Sequence, residues 1–247
     1  LSHSELEMLK LSTIEKKDCI KPFYKNSHIS RYVTNSEAKK SLIYVDSSTN
    51  IESYPNIKKH LNKFKPLLAA REQAGKDAHN WFWIRGSKRD KFFYREDLIV
   101  VPYRSKSSQF SICNQDIFGS GDLYYISLQK PYSNKALLGY LNSSFVFFHL
   151  ENRGKRKGKI IEYYKTPLEQ IPIHKEILEN PSIVKKIEII VENIINEKNL
   201  DINADTLLLE QKLDLMIYKI YNLLFNEVRM IDPNFSISEA EYNSFEI

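Results

Sequence analysis

Glycine, cysteine and long apolar runs are all scarce in this sequence of 247 residues, and each scarcity excludes something. Seven glycines argue against a glycine-rich cofactor loop, and no P-loop, GxGxxG or GxSxG stretch occurs. The two cysteines, Cys19 and Cys113, have neither metal nor redox spacing. They read as free thiols of a reducing compartment, so a cytoplasmic location is expected. No apolar stretch approaches the roughly 20 residues that span a bilayer, and no cationic start precedes an apolar block, so no membrane partner is expected. The six histidines, His3, His28, His60, His79, His149 and His174, are scattered and form no HExxH-type cluster. No PD…ExK carboxylate set is present, and Asp46 and Asp97 read as surface residues at strand ends. The stretch IDPNFS does not match the (N/D)PP(Y/F) pattern of amino-methyltransferases. Catalysis by this chain alone is not expected, and no cofactor is expected within it. Because Leu1 stands first, the chain reads as a piece of a longer protein.

What is present is a globular composition, with 42% hydrophobic and 12% aromatic residues, enough for one large or two small domains. Charge is distributed unevenly. Residues 176–247 hold 6 Lys+Arg against 14 Asp+Glu, a net of −8, whereas residues 1–175 carry a net of +13. That asymmetry suggests that the first part meets a polyanion and the last part does not. Two regions are therefore expected, residues 1–175 and a helical subdomain over 176–247.

Hydrophobic periodicity supports an α+β fold, a twisted mixed or antiparallel sheet with flanking helices followed by a C-terminal helical bundle. A short helix is expected over 3–18 and a buried strand over 41–46. A helix starting at Pro55 should break near Phe64, because Pro66 cannot continue it. WFWIR, DLIVVPY, QFSIC and DLYYISL read as strands separated by turn residues, and NKALLGYLNSSFVFFHL as one or two helices. Ile183, Ile187, Ile190, Val191 and Ile194 fall on one helical stripe, with Asn180 as N-cap and Pro181 as the first helical residue. Leu209, Leu213, Ile217, Ile220 and Leu224 mark a second helix, so that a helical pair covers about 181–228.

Basic and aromatic residues interleave in four places. Around PFYKNSHISRY stand Lys25 and Arg31. Around WFWIRGSKRDKFFYR stand Arg85, Lys88 and Arg89. VPYRSKSSQF offers Tyr103, Arg104, Lys106 and Gln109. ENRGKRKGKIIEYYK holds Arg153, Lys155, Arg156, Lys157 and Lys159, five cations in seven residues, with Gly154 and Gly158 between them. Such a run is either a solvated loop or a flexible loop that seeks phosphates, and the net charge of +13 around it favours the second reading. Arg and Lys bind phosphates, and Arg, Gln and Asn also read base edges in the major groove. Trp81 reads as core. Tyr163 and Tyr164 are open between core and contact.

The order of IKPFYKNSHISRY, LIYVD, YPNIKKHLNKFKPLLAAR, a tryptophan strand, DLIVVPYRSKSSQFSI, LLGYLNSSFVFFHL and YYKTPLEQIPI resembles the C-terminal specificity domain of TaqI-type DNA adenine methyltransferases and type IIG restriction–modification enzymes. The tail KLDLMIYKIYNLLFNEV is similar to their common ending, and the resemblance covers roughly residues 18–232. It implies a target-recognition domain that grips double-stranded DNA mainly from the major groove. It also implies a methyltransferase domain in the same polypeptide, outside this chain, where S-adenosylmethionine binds and the base is flipped. By motif position Arg31, Arg85 and the 153–159 segment match parts that face DNA. A fragment of the specificity subunit of a multi-subunit restriction system, and an RNA-binding or protein-docking module, are the alternative readings.

Overall fold

A computed structural model describes residues 1–34, 40–71, 81–84, 98–113 and 116–247. The chain packs as two compact units, residues 1–24, 37–95 and 115–120 in the first and 25–36, 96–114 and 121–247 in the second. The architecture is α+β with small mixed sheets and a C-terminal helical region, as the periodicity indicates. No helix of the described residues is long and apolar enough to cross a membrane.

In the first unit the helix expected over 3–18 is two helices, α1 (His3–Met8) and α2 (Thr13–Cys19), parted where Lys10 takes φ 50°. Each starts with a capping box, Ser2 with Glu5 and Ser12 with Glu15. The Glu15 carboxylate also accepts from the backbone N–H groups of Asn56 (2.7 Å) and Ile57 (3.2 Å), in the first turn of α3 (Pro55–Asn62). Burial alone would raise its pKa. Its hydrogen bonds from Asn56, Ser12 and Ile57 outweigh that and bring it to about 2. Strand β1 (Ile20–Tyr24) runs antiparallel to a strand at Lys40–Ile43 and parallel to Phe118–Gly119. Leu11, Cys19, Val45, Ile51 and Ile57 form the core. Helix α3 ends before Pro66, and α4 (Lys65–Ala69) follows, as expected; Leu67 faces solvent. Trp81 is buried, but residues 81–84 form a turn rather than the expected strand, and Ile84 N–H donates to the Val45 carbonyl.

The second unit is built on a four-stranded sheet with two strands at its centre. The strand Leu98–Pro102 is buried along its whole length, as a continuous apolar run requires. It pairs antiparallel with Ser111–Cys113 on one side and Leu123–Ile126 on the other; Tyr32–Val33 adds parallel to Ser111–Cys113 at the edge. Helix α5 (Asn134–Leu141) packs on it, α6 (Ser144–Arg153) packs against α5, and the long helix α9 (Pro181–Leu200) packs against α5 and the edge strand Tyr32–Val33. Gly139 permits that approach: a Cβ there would lie 2.7 Å from Val191 Cγ2. One core runs through Ile99, Leu138, Tyr163, Ile187, Ile194 and Ile217, so residues on both sides of position 175 share it.

The expected second tail helix is shorter than its periodicity. Helix α10 (Leu207–Ile220) stops where Asn222 takes φ 53°, and Leu224 is exposed before the next helix, Phe225–Ile231. Tyr218, Val228, Phe235 and Tyr242 form a satellite cluster there.

The motif LLGYLNSS explains itself as scaffolding. Asn142 donates Nδ2–H to the Phe110 carbonyl (2.8 Å) and accepts from Phe110 N–H (3.0 Å), clasping a strand end. Ser143 caps α6, and Ser144 donates its N–H (2.8 Å) and Oγ–H (2.7 Å) to Asp214 of α10. The phenols of Tyr140 and Tyr221 both donate to the Pro172 carbonyl in TPLEQIPI. Three separate sequence motifs thus meet in one set of hydrogen bonds.

Candidate nucleic-acid interface

The segment expected to be a flexible loop is a β-hairpin. Lys155–Lys157 (β9) turns through Gly158 and Lys159 into Ile160–Glu162 (β10), and β10 pairs on its other side with Arg104–Ser105 (β5). Gly158 takes φ 63°, the value required at the first central position of one tight hairpin turn. Gly154 serves close approach instead: a Cβ there would lie 2.4 Å from the Leu150 carbonyl oxygen. Backbone pairing rather than pliancy therefore sets the path of the cations.

Register decides which side chains share a face. Glu162 lies opposite both Arg104 and Lys155, and Ile160 lies opposite Lys157. Side chains alternate along a strand, so Arg104, Glu162, Lys155 and Lys157 project from one side and Ile161 from the other, into the core.

At the centre of this face Arg104 Nε and Nη2 both donate to Glu162 Oε1, at 2.9 and 2.6 Å. Glu162 Oε2 accepts from the Tyr164 hydroxyl at 2.7 Å, which in turn accepts from the Tyr103 hydroxyl at 2.7 Å. The Arg104 guanidinium sits 4.9 Å from the Tyr103 ring centroid, and the Lys155 ammonium 5.6 Å from that of Tyr164. Asn26 Nδ2–H donates to the Arg104 carbonyl at 2.9 Å. The hydrogen bonds from Tyr164 and then Arg104 hold the Glu162 carboxyl below its ordinary pKa. Hydrogen bonds with Tyr103 and then Glu162 push the Tyr164 phenol up. At neutral pH the Arg104–Glu162 pair is fully ionised.

The sequence-predicted residues divide accordingly. Tyr103 and Arg104 come together with Lys155 and Lys157, while Lys25, Lys106, Arg153 and Lys159 are exposed in the same unit. Arg156 is exposed and pairs with Glu151 at 3.1 Å. Gln109 points inward: it accepts from Ser105 Oγ (2.6 Å) and donates to the Ile29 carbonyl. Arg31 also turns inward, to Glu210 and the Asn142 carbonyl, next to Tyr32 at φ 70°. Arg85, Lys88 and Arg89 lie outside the described residues. Tyr163 is wholly buried and donates to the Ser107 carbonyl, whereas Tyr164 stays half-buried at the face. Glu162 and Asn26 went unmarked in the sequence. The only signal for Glu162 was an acid placed just after a cationic run, and without the register that does not reveal its partner.

With this geometry and fold, the family follows. The chain belongs to the TaqI-like C-terminal specificity domains, whose family model matches residues 21–173. It is 32% identical over 220 residues to the type II methyltransferase M.MjaIV of Methanocaldococcus jannaschii, covering 84% of this chain and 70% of that protein. It is 24% identical over 184 residues to the type II methyltransferase M.HindII of Haemophilus influenzae, covering 71% of this chain but 34% of that one. Among solved structures it matches the type IIL restriction–modification enzyme MmeI, determined in complex with DNA, with a TM-score of 0.66 at 15% identity. That match takes in 99% of this chain and 34% of the MmeI chain. The type IIG restriction endonuclease BpuSI matches with a TM-score of 0.53 at 17% identity, over 92% of this chain and 26% of BpuSI. These two likenesses show a shared fold. The chain spans a minor part of both solved enzymes.

Proposed function

We propose that this chain recognises a specific sequence in duplex DNA for a type II, IIG-like restriction–modification enzyme. In this reading the enzyme's N6-adenine methyltransferase activity, with its S-adenosylmethionine, resides in a domain of the same polypeptide outside these residues. The enzyme works in the cytoplasm. The observation that carries the reading is the β5–β10–β9 face, where Lys155 and Lys157 project beside an anchored guanidinium. Exposed lysines of this kind neutralise phosphates and release counterions, which gives affinity and its salt dependence. Residues 1–175, with a net charge of +13, form the DNA-facing part of this proposal. Residues 176–247, with a net of −8, support it or dock on the catalytic domain.

Duplex binding across a salt series, with single-stranded DNA and RNA as competitors, tests it. Replacing Lys155, Lys157 and Lys159 with Gln should weaken duplex binding and lower the salt slope by about one for each phosphate that is no longer neutralised. Unchanged affinity and slope would remove the hairpin from the interface. A preference for single strands would favour the RNA-binding reading instead.

A further inference from the structure

The lysines of the hairpin and Arg104 are built for different tasks. The Lys side chains are mobile point charges, suited to a phosphate that can be met from many directions. Arg104 is held. Its Nε/Nη2 edge is anchored on Glu162, its Cζ lies 4.9 Å from the Tyr103 ring centroid, and its backbone is tied on both sides to Asn26. Glu162 is itself fixed by Tyr164, which Tyr103 holds in turn.

This anchoring changes what Arg104 can recognise. The adjacent carboxylate compensates its positive charge, so the pair gains little from a phosphate that the neighbouring lysines already attract. The second edge of the guanidinium, Nη1–H with the outer Nη2–H, points away from the anchoring oxygen, and the side chain is 46% exposed. That edge offers two parallel donors in a fixed plane. The base edge that takes two parallel donors is that of guanine, through O6 and N7 in the major groove.

We propose that Arg104 is a specificity-determining residue that reads one guanine of the target, with Glu162, Tyr164 and Tyr103 as positioning residues. This rests on the duplex-recognition reading above. Lys155 and Lys157 supply affinity without sequence information, and Arg104 supplies sequence information with little of the salt-dependent affinity.

The test is selection from a random duplex library by the full-length protein, without divalent metal, for wild type, Arg104→Ala and Arg104→Lys. Melting curves check that each variant is folded. The expected result is that the wild type enriches a sequence with at least one fixed guanine. Both variants should lose the preference at one G·C position and keep the rest. Replacing that guanine with 7-deazaguanine, which lacks the N7 acceptor, should weaken wild-type binding about tenfold, within the range for breaking a bidentate pair, and leave Arg104→Ala unchanged. If Arg104→Ala enriches the same sequence with a salt slope lower by about one, Arg104 is a phosphate ligand and the inference falls while duplex recognition stands. If Arg104→Lys keeps the preference, the planar fork is not the reader, and the inference falls. If the wild type enriches nothing and binds no duplex at low salt, duplex recognition falls and the inference falls with it.

Discussion

The helical core and the basic sheet face each bury a carboxylate, and they treat it in opposite ways. Asp214, on α10, accepts two hydrogen bonds from Ser144 and forms no ion pair among the described residues, and desolvation raises its pKa to about 6. Glu162, on β10, is shielded from solvent at the surface by its own partners, and Tyr164 and Arg104 hold it ionised. The first carboxylate ties two helices together where water is excluded. The second spends its charge on fixing an arginine at the surface. Low dielectric makes an isolated buried charge costly, whereas the same charge becomes a positioning device once it is paired and hydrogen-bonded.

The largest expected effect breaks the helical side of this comparison. Ile187→Ala would leave a cavity under α5 and cost about 2–5 kcal/mol in urea unfolding. The salt slope of duplex binding by the folded fraction should not move. A changed slope would mean that the helical region touches DNA.

Next, Asp214 gives the core a pH signature. Its pKa is higher folded than unfolded, so its contribution to stability is fully present below about 4 and is lost as pH rises through about 6. Asp214→Asn still accepts from Ser144 N–H at Oδ1, can donate Nδ2–H to Ser144 Oγ in place of the accepted hydroxyl, and cannot titrate. Relative to this variant, the wild type should gain about 2 kcal/mol between about pH 7.5 and about pH 4, read from urea midpoints at both. Parallel pH curves for the two proteins would contradict the raised value.

Glu162 has the opposite sign. Its folded pKa is lowered, so its contribution is present above about 4.5 and is lost as pH falls through the folded value. Glu162→Gln should therefore be less stable than wild type at neutral pH, with the gap closing in acid. A gap that widens in acid would show that Arg104 does not hold this carboxylate.

The smallest effect tests the hairpin turn. Gly158 stands at φ 63° in open space, so Gly158→Ala meets strain without a clash and should cost about 1 kcal/mol. Gly158→Asn should cost less, since Asn tolerates the left-handed region. Equal stability of Ala and Gly would indicate that the turn is loose.

Much of the helical region was legible beforehand. Ile187, Ile190, Val191 and Ile194 repeat at helical spacing, Asn180 and Pro181 mark the start, and the structure buries that stripe. Local chemistry sufficed because every signal lies within one element. The split at Asn222 was not legible, because Leu224 keeps the helical period although the backbone has already turned. The WFWIR segment differs for a related reason: bulky aromatics suit strands, but residues 81–84 form a turn whose Phe82 packs against the first core.

The basic interface was half legible. The run from Arg153 to Lys159 announced its charge but not its conformation, and VPYRSK announced Arg104 but not its partner. Arg31 and Gln109 carry the same chemistry as Arg104 and looked equally available, yet they brace the interior.

The sequence by itself determined the long helix α9, the central strand, the charge division and the family, because each rests on periodicity, composition or motif order along the chain. Only the tertiary structure decided which cation is aimed and which is free. That choice depends on the register that sets Glu162 opposite both Arg104 and Lys155, a pairing across 58 residues that nothing local encodes. Slipping that register by one residue would turn Glu162 into the core and release Arg104 as one more mobile charge.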